Sequence, residues 1–263
     1  MDERHQKGHR VIQQADYASS VERDSARLAD AATGNLAAEV VACPGWNVAD
    51  LVWHLREVQW FWCTIVEGRR TEPPDETGVP ERPADPEQLL ADFREGAREL
   101  VKALQGADPA TPCWTWAQQK DVAFVLRHQA QEAAVHRWDA ERAAGRETDV
   151  DAAIASDAVE EFLMFSTEWV VDGAAPLPGP VRIEATDSGD AWTVTEDAER
   201  VLHLVGLGHG PPGQGNAADP VTTVRGTASD LLLGLYRRVG PERLSIAGDP
   251  AGWPALVARH DLD

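Results

Sequence analysis

Residues 127–141 read RHQAQEAAVHRWDAE, and this stretch decides the fold class and the chemistry that the sequence predicts. Glu132 and His136 are four residues apart, so on an α-helix they lie one turn apart on the same face. A second helix, predicted for residues 48–67, carries His54 beside an apolar stripe. A carboxylate and two imidazoles on inward faces are costly to bury unless they are paired or bind a metal. Two histidines and one glutamate, with one coordination position left open, suit catalytic zinc or a similar divalent ion.

Each of these residues also has an ordinary structural interpretation. A lone histidine on an apolar face is often a satisfied core residue, and a Glu–His pair at this spacing is often a solvated pair. Asp139 could orient a ligand histidine or be a solvated carboxylate. His128, one turn before Glu132, is better explained as a partly exposed helix residue than as a ligand. The spacing alone leaves metal binding and structural pairing open.

The composition limits the classes of function. The 263-residue chain is long enough for a sizeable core and for two domains. Its formal net charge of −20 argues against a nucleic-acid-binding surface or an anionic-membrane surface. The chain starts with charged residues, no apolar run reaches transmembrane length, and the three cysteines form no CxxC pair. We therefore expect a cytoplasmic protein without a disulfide framework. Its expected oligomeric state is a monomer or a homodimer.

The N-terminal part of the sequence predicts four helices, over residues 9–33, 48–67, 86 to about 105, and 122–144. Capping signals support three of their starts. Asn47 is followed by Asp50 in the spacing of a capping box, Asp85 precedes Pro86, and Asp121 can cap the fourth helix. Four helices with these connections predict a four-helix bundle, a fold that builds metal sites from side chains on facing helices.

Beyond residue 148 the pattern changes to that of an α+β domain. A helix over residues 151–172 could bridge two domains, and a Gly/Pro-rich loop covers 206–220. Thr227, with Asp230 three residues later, starts a helix that runs to Gly240, and a last helix follows Asp249. Strands are predicted for residues 181–185, 191–195, 201–205, 221–224 and 244–247. The predicted fold is a two-domain α+β protein with a helical domain at 1–148 and an α+β domain at 149–263.

Three motifs resemble those of the mycothiol-dependent maleylpyruvate isomerase family. They are CPGWNVADLVWHL at residues 43–55, EAAVHRWDAE at 132–141 and VRGTASDLLL at 224–233. The motifs stand in the order of the family and the resemblance spans most of the chain. It implies a DinB-like four-helix bundle followed by a small α+β domain similar to sterol-carrier proteins.

The resemblance also implies a site and a reaction. In the family a divalent metal, usually zinc, is held at the positions of His54, Glu132 and His136, and mycothiol is the cosubstrate. An arginine of the C-terminal domain that is catalytic or binds substrate falls nearest Arg238, with Arg237 adjacent. The expected enzyme is a cis–trans isomerase or a thiol S-transferase that acts on a small electrophile.

The chain departs from the family pattern before Glu132, and the sequence is also compatible with two other functions. Family members often have histidine directly before the motif glutamate, whereas this chain has Gln131, which we expect to point away from the face of Glu132. A metal enzyme that uses bound water, such as a hydrolase or lyase, would need no thiol. A non-catalytic protein that holds an apolar ligand would use a fully enclosed structural metal.

Overall fold

The first unit of the fold, residues 13–150, is a group of four helices. The helices are α1 (Gln14–Ala32), α2 (Val48–Gly68), α3 (Pro86–Gly106) and α4 (Val122–Ala143). These bounds come from a computed structural model, which describes residues 12–75, 77–166, 171, 173–205 and 219–260.

Capping side chains set the starts of three of these helices, as predicted. Asn47 and Asp50 each accept a hydrogen bond from the backbone N–H of the other at 3.0 Å, which completes the capping box of α2. The Asp85 carboxylate accepts from the first turn of α3, ahead of Pro86. The Asp121 carboxylate accepts from the first turn of α4 at 3.1 Å. Local hydrogen bonding therefore fixes where the helices that carry the candidate ligands begin.

The start of α1 differs from the prediction. Apolar periodicity placed it near residue 9, but Ile12 and Gln13 precede the helix, and residues 9–11 lie outside the described part of the chain. Gln13 and Asp16 form a capping box, a signal that the periodicity argument did not use.

Helix α4 is the most extensively buried of the four helices. It packs along α1, α1 also packs on α3, and α3 packs on α2, whereas α2 and α4 contact each other less extensively. Between Gln129 and Glu141, every residue except Glu132 is buried. The sequence predicted a single inward stripe on α4, but the helix is buried around its circumference. Small side chains let neighbouring segments pack closely against α4. Four of its alanines are buried, namely Ala130, Ala133, Ala134 and Ala140.

The second unit of the described chain, from residue 151 on, combines a mixed five-stranded sheet with helices. Its strand order is β3-β2-β1-β4-β5, with β1 parallel to β4 and the other neighbours antiparallel. The strands are β1 (Val181–Ala185), β2 (Ala191–Glu196), β3 (Leu202–Val205), β4 (Thr222–Gly226) and β5 (Ser245–Gly248). The helices are α5 (Ala152–Ser166), α6 (Ala228–Leu235) and α7 (Gly252–Val257). All five predicted strands are present, and the α+β class is confirmed.

Two helices of this unit are shorter than predicted. The described part of helix α5 runs to Ser166, and residues 167–170 and 172 lie outside the described residues. Val171 is not helical, so the helix does not reach residue 172 as predicted. Helix α6 was predicted to reach Gly240 but ends at Leu235. Arg237 has a φ of 59°, and its guanidinium donates to the backbone carbonyls of Val257 and His260. A left-handed residue ends a helix, and here long-range hydrogen bonds hold it in place.

The predicted loop at 206–220 falls mostly outside the described residues. Among the helices that the structure describes, none has the length and apolarity needed to cross a bilayer.

Candidate metal centre

The segment that leads into α2 is a hydrogen-bonded loop that positions His54. The Val40 N–H donates to the Trp46 carbonyl at 2.9 Å, and the Trp46 N–H donates to the Cys43 carbonyl at 3.0 Å. Gly45 has a φ of 85°, a conformation that side-chain-bearing residues rarely adopt. The loop brings the Trp46 ring to 5.1 Å from the His54 imidazole, between ring centroids. His54 is thus held in position both by helix α2 and by the loop that precedes it.

His54, Glu132 and His136 converge where α2 meets α4. The distance from Glu132 Oε1 to His54 Nε2 is 3.1 Å, and to His136 Nε2 it is 3.4 Å. One ligand atom from each of the three residues lies within 4.8 Å of the other two. Ligand atoms around tetrahedral zinc lie about 3.3 Å apart, because the bonds are about 2.0–2.1 Å long. The spacing and the donor set therefore fit a divalent ion.

The group is accessible from one side. The side chains of His54 and Glu132 are 33% and 21% exposed, whereas that of His136 is 11% exposed. Within the described chain, no fourth cysteine, histidine, aspartate or glutamate joins these three. Three protein ligands and a solvent-facing position are the pattern of catalytic metal sites, while structural sites are enclosed by four protein ligands.

Asp139 contacts the ring nitrogen of His136 that does not face Glu132. His136 Nδ1 lies 3.0 Å from Asp139 Oδ2, and the Asp139 side chain is fully buried. This contact orients the ring so that Nε2 faces Glu132. Of the two interpretations of Asp139, the structure supports the orienting one. A buried carboxylate behind a ligand histidine also raises the basicity of the ligand nitrogen.

The electrostatics of the group favour a positive charge. Burial opposes protonation of His136, but the charge of Glu132 and the hydrogen bond to Asp139 outweigh it and raise the pKa of His136 to about 9. Burial likewise opposes ionisation of Glu132, but the charge of His136 and hydrogen bonds to both imidazoles hold the pKa of Glu132 well below its usual range. The cluster therefore attracts a cation, whether a proton on His136 or a metal ion.

His128 does not belong to the group of three, as predicted. It is half-buried and its ring stacks on Phe124 at 5.4 Å between centroids. The rings of Trp62 and Trp116 contact its edges or faces at 6.0 and 5.2 Å. Its charge still contributes to the lowered pKa of Glu132. His128 is therefore a packed aromatic residue that influences Glu132 through its charge.

Sequence reasoning missed an ionic network around Arg137, the residue that follows His136. Arg137, which is 1% exposed, donates to Glu141 at 2.9 Å and to Asp24 at 3.3 Å. Arg27 donates to the other oxygen of Glu141 at 2.8 Å. Arg137 also donates to the Thr148 carbonyl at 2.9 Å. The charges of the two arginines balance those of the two carboxylates. The hydrogen bonds of the network link α4 to α1 and to the segment after α4. Charged residues at neighbouring positions in one motif are only a weak sequence signal for such a network.

Cys43 lies close to the site, and its position was not predicted from the sequence. Cys43 packs against the apolar core and is half-buried. Its sulfur also lies within 4.8 Å of one ligand atom each from His136 and Asp139. Cys63 and Cys113 do not belong to either group of potential ligands in the described chain. Burial is the main cause that raises the pKa of each of those two thiols to about 11.

The two candidate arginines differ in their contacts. Arg237 is exposed and its guanidinium donates to two backbone carbonyls, as described above. Arg238 is half-buried; its Nη1 donates to the Tyr236 carbonyl at 3.0 Å, and its guanidinium lies 5.5 Å from the centre of the Tyr236 ring. Arg237 thus has a structural role at the end of α6, while Arg238 remains the candidate for binding a substrate.

Comparisons with known proteins agree with this architecture. A family model described as the mycothiol maleylpyruvate isomerase N-terminal domain matches residues 18–141, and one described as the MDMPI C-terminal domain matches residues 153–255. Among solved structures, a crystal structure of the mycothiol-dependent maleylpyruvate isomerase is 12% identical, with 92% of this chain and 94% of that chain covered and a TM-score of 0.62. A histidine-to-alanine variant of that isomerase gives the same identity and coverage and a TM-score of 0.61. At this identity the likeness shows a shared fold. A search of curated proteins found no match.

Proposed function

This chain belongs to the mycothiol maleylpyruvate isomerase family, and from that premise we propose that it is a metal- and mycothiol-dependent cis–trans isomerase. The substrate class is a small electrophilic diacid with a cis double bond, such as maleylpyruvate. The observation that carries the proposal is the convergence of His54, Glu132 and His136 on one accessible point.

In this proposal His54, Glu132 and His136 hold a divalent cation, with zinc as the first candidate. Two imidazoles and a carboxylate are common zinc ligands, and the separations of 3.1 and 3.4 Å suit them. Once bound, the dication supplies the charge that keeps a coordinated thiol deprotonated at neutral pH. Asp139 keeps the His136 ring in the ligating orientation, and the partly exposed side of His54 and Glu132 admits the thiol.

The chemistry that follows is addition and elimination at carbon. The mycothiol thiolate forms a C–S bond to one carbon of the cis double bond, and the electron pair moves onto the neighbouring carbonyl as an enolate. The former double bond is then single and can rotate. When the enolate collapses, the C–S bond breaks, the trans double bond forms and the thiolate is released. Atoms and charge balance over the cycle, so no oxidant or reductant is needed.

Arg238 is proposed to bind a carboxylate of the substrate or the developing enolate. A guanidinium matches the geometry of a carboxylate through two parallel hydrogen bonds. The contacts to the Tyr236 carbonyl and ring restrain the Arg238 side chain, which reduces the conformational entropy lost on binding.

Metal content and thiol-dependent turnover test the proposal together. His54→Ala should lower zinc affinity by more than about 100-fold, because loss of a ligand should exceed the 10–100-fold cost of losing a supporting residue. The matched control is His203→Ala, since His203 pairs with Asp197 at an exposed position and belongs to neither group of potential metal ligands in the described chain. We expect parent and control to convert the cis to the trans isomer only with mycothiol present. Turnover without thiol, or full zinc binding by His54→Ala, would reject the assignment.

A further inference from the structure

The two nitrogens of His136 face different groups of potential ligands. Nε2 faces Glu132, at 3.4 Å, on the side of His54. Nδ1 faces Asp139, at 3.0 Å, and an imidazole nitrogen, the Asp139 carboxylate and the Cys43 sulfur all lie within 4.8 Å of one another. His136 therefore belongs to two groups of potential ligands, one with His54 and Glu132 and one with Asp139 and the thiol of Cys43.

We propose that Cys43, His136 and Asp139 form a second cation site, selective for thiophilic divalent ions such as Cd²⁺, that competes with the His54 site for His136. This inference does not depend on the reaction assigned above.

The chemistry of the ligands separates the two sites. Thiolate sulfur prefers soft cations, whereas imidazole and carboxylate also accept harder ones. The His54 group offers no sulfur, and the second group offers one. Asp139 is fully buried and Cys43 is half-buried, so an ion there would be more enclosed than one at the accessible His54 group.

The second group is also held in place before any ion binds. The Cys43 N–H donates to the Val40 carbonyl at 2.9 Å, and the Cys43 carbonyl accepts from Trp46 at 3.0 Å. The backbone of Cys43 is therefore fixed within its loop, and Asp139 and His136 lie one turn apart on the buried face of α4. Ordered ligands lower the entropic cost of binding a cation.

Sharing of His136 makes the two sites exclusive. A neutral imidazole has one nitrogen with a free lone pair and one that carries a proton. A cation bound at Nδ1 takes that lone pair and leaves the proton on Nε2, so the His54 site loses one of its three ligands. Occupation of the second site should therefore displace a cation from the first.

Titration of the metal-free full-length protein with Cd²⁺ tests the site through the ultraviolet sulfur-to-cadmium charge-transfer band. The parent should develop the band up to one equivalent. Cys43→Ser should lose the band, and the matched variant Cys63→Ser should keep it, because Cys63 belongs to neither group. His54→Ala should also keep the band, which separates this site from the one proposed for catalysis. Circular dichroism of each variant checks that it is folded.

Three results would overturn the proposal. The first is a parent without the band, and the second is a folded Cys43→Ser or Cys43→Ala variant that retains it. The third is loss of the band in His54→Ala, since sulfur would then bind a cation held by the first group. Exclusivity has its own test in equilibrium dialysis: one Cd²⁺ per chain at saturation supports a shared His136, and two per chain refute it.

Discussion

Replacing Asp139 by asparagine tests how far the zinc affinity of this protein depends on a residue that does not itself bind at the His54 site. Asp139 is fully buried, and its carboxylate lies 3.0 Å from His136 Nδ1. Asparagine has nearly the same shape but no charge, so the packing of α4 against its neighbours should survive. What changes is the charge-assisted hydrogen bond that fixes the imidazole and makes Nε2 more basic.

Two independent arguments give the size of the effect. A hydrogen bond to a charged group contributes about 1.5–3 kcal/mol. Loss of a carboxylate behind a ligand histidine typically weakens metal binding by about 10–100-fold, which is about 1.4–2.7 kcal/mol. The ranges overlap, so we expect zinc to bind Asp139→Asn about 10–100-fold more weakly than the parent protein.

Competition with a chromophoric chelator measures this affinity directly. Asp197→Asn is the control, because Asp197 makes the same kind of contact, 2.7 Å from His203, at an exposed position. It should bind zinc as the parent does. Urea unfolding of the metal-free proteins shows whether Asp139→Asn remains folded. If the folded variant binds zinc within about twofold of the parent, the proposed role of Asp139 is wrong.

Three further predictions concern stability and thiol reactivity. Arg137→Met keeps an apolar stem but removes the guanidinium and leaves the Glu141 carboxylate with one cation fewer, so urea unfolding should show a loss of about 3–5 kcal/mol. A loss below about 1 kcal/mol would contradict the network. Burial raises the pKa of Glu141, but hydrogen bonds from Thr148 and Arg137 outweigh it and lower the pKa overall. Its stabilisation is thus complete above about pH 4.5 and is lost as the pH falls through the folded-state pKa, so the parent and Glu141→Gln should converge in stability on acidification. With pKa values of about 11, Cys63 and Cys113 are about one part in a thousand thiolate near pH 8, so iodoacetamide should label them slowly in the folded protein and rapidly in urea.

Helix starts were predictable from sequence because their causes are local. Asn47, Asp85 and Asp121 cap helices through hydrogen bonds to backbone groups two or three residues away. The end of α6 was not predictable in this way. Apolar periodicity continues past Leu235, but the chain turns at Arg237, whose partners lie twenty or more residues further along. No pattern within the helix shows that interaction.

The site was predictable in its parts but not in its arrangement. Spacing placed Glu132 and His136 on one face of a helix, while only the family resemblance linked them to His54, which is 78 residues from Glu132. Nothing in the sequence brought Cys43 to Asp139. That contact depends on how the loop before α2 lies against α4, and such packing follows from the whole core.

The buried charges of α4 have a consequence for the site. His136 and Arg137 are consecutive, so they project about 100° apart around the helix. His136 faces His54 on α2, while Arg137 is paired with Asp24 on α1. The apolar side chains that α4 also buries make contacts that are non-directional. Ion pairs are more directional, so the network of Arg137 should fix that rotation and with it the aim of His136. Arg137→Met should then weaken zinc binding as well as stability, although Arg137 is not among the proposed ligands.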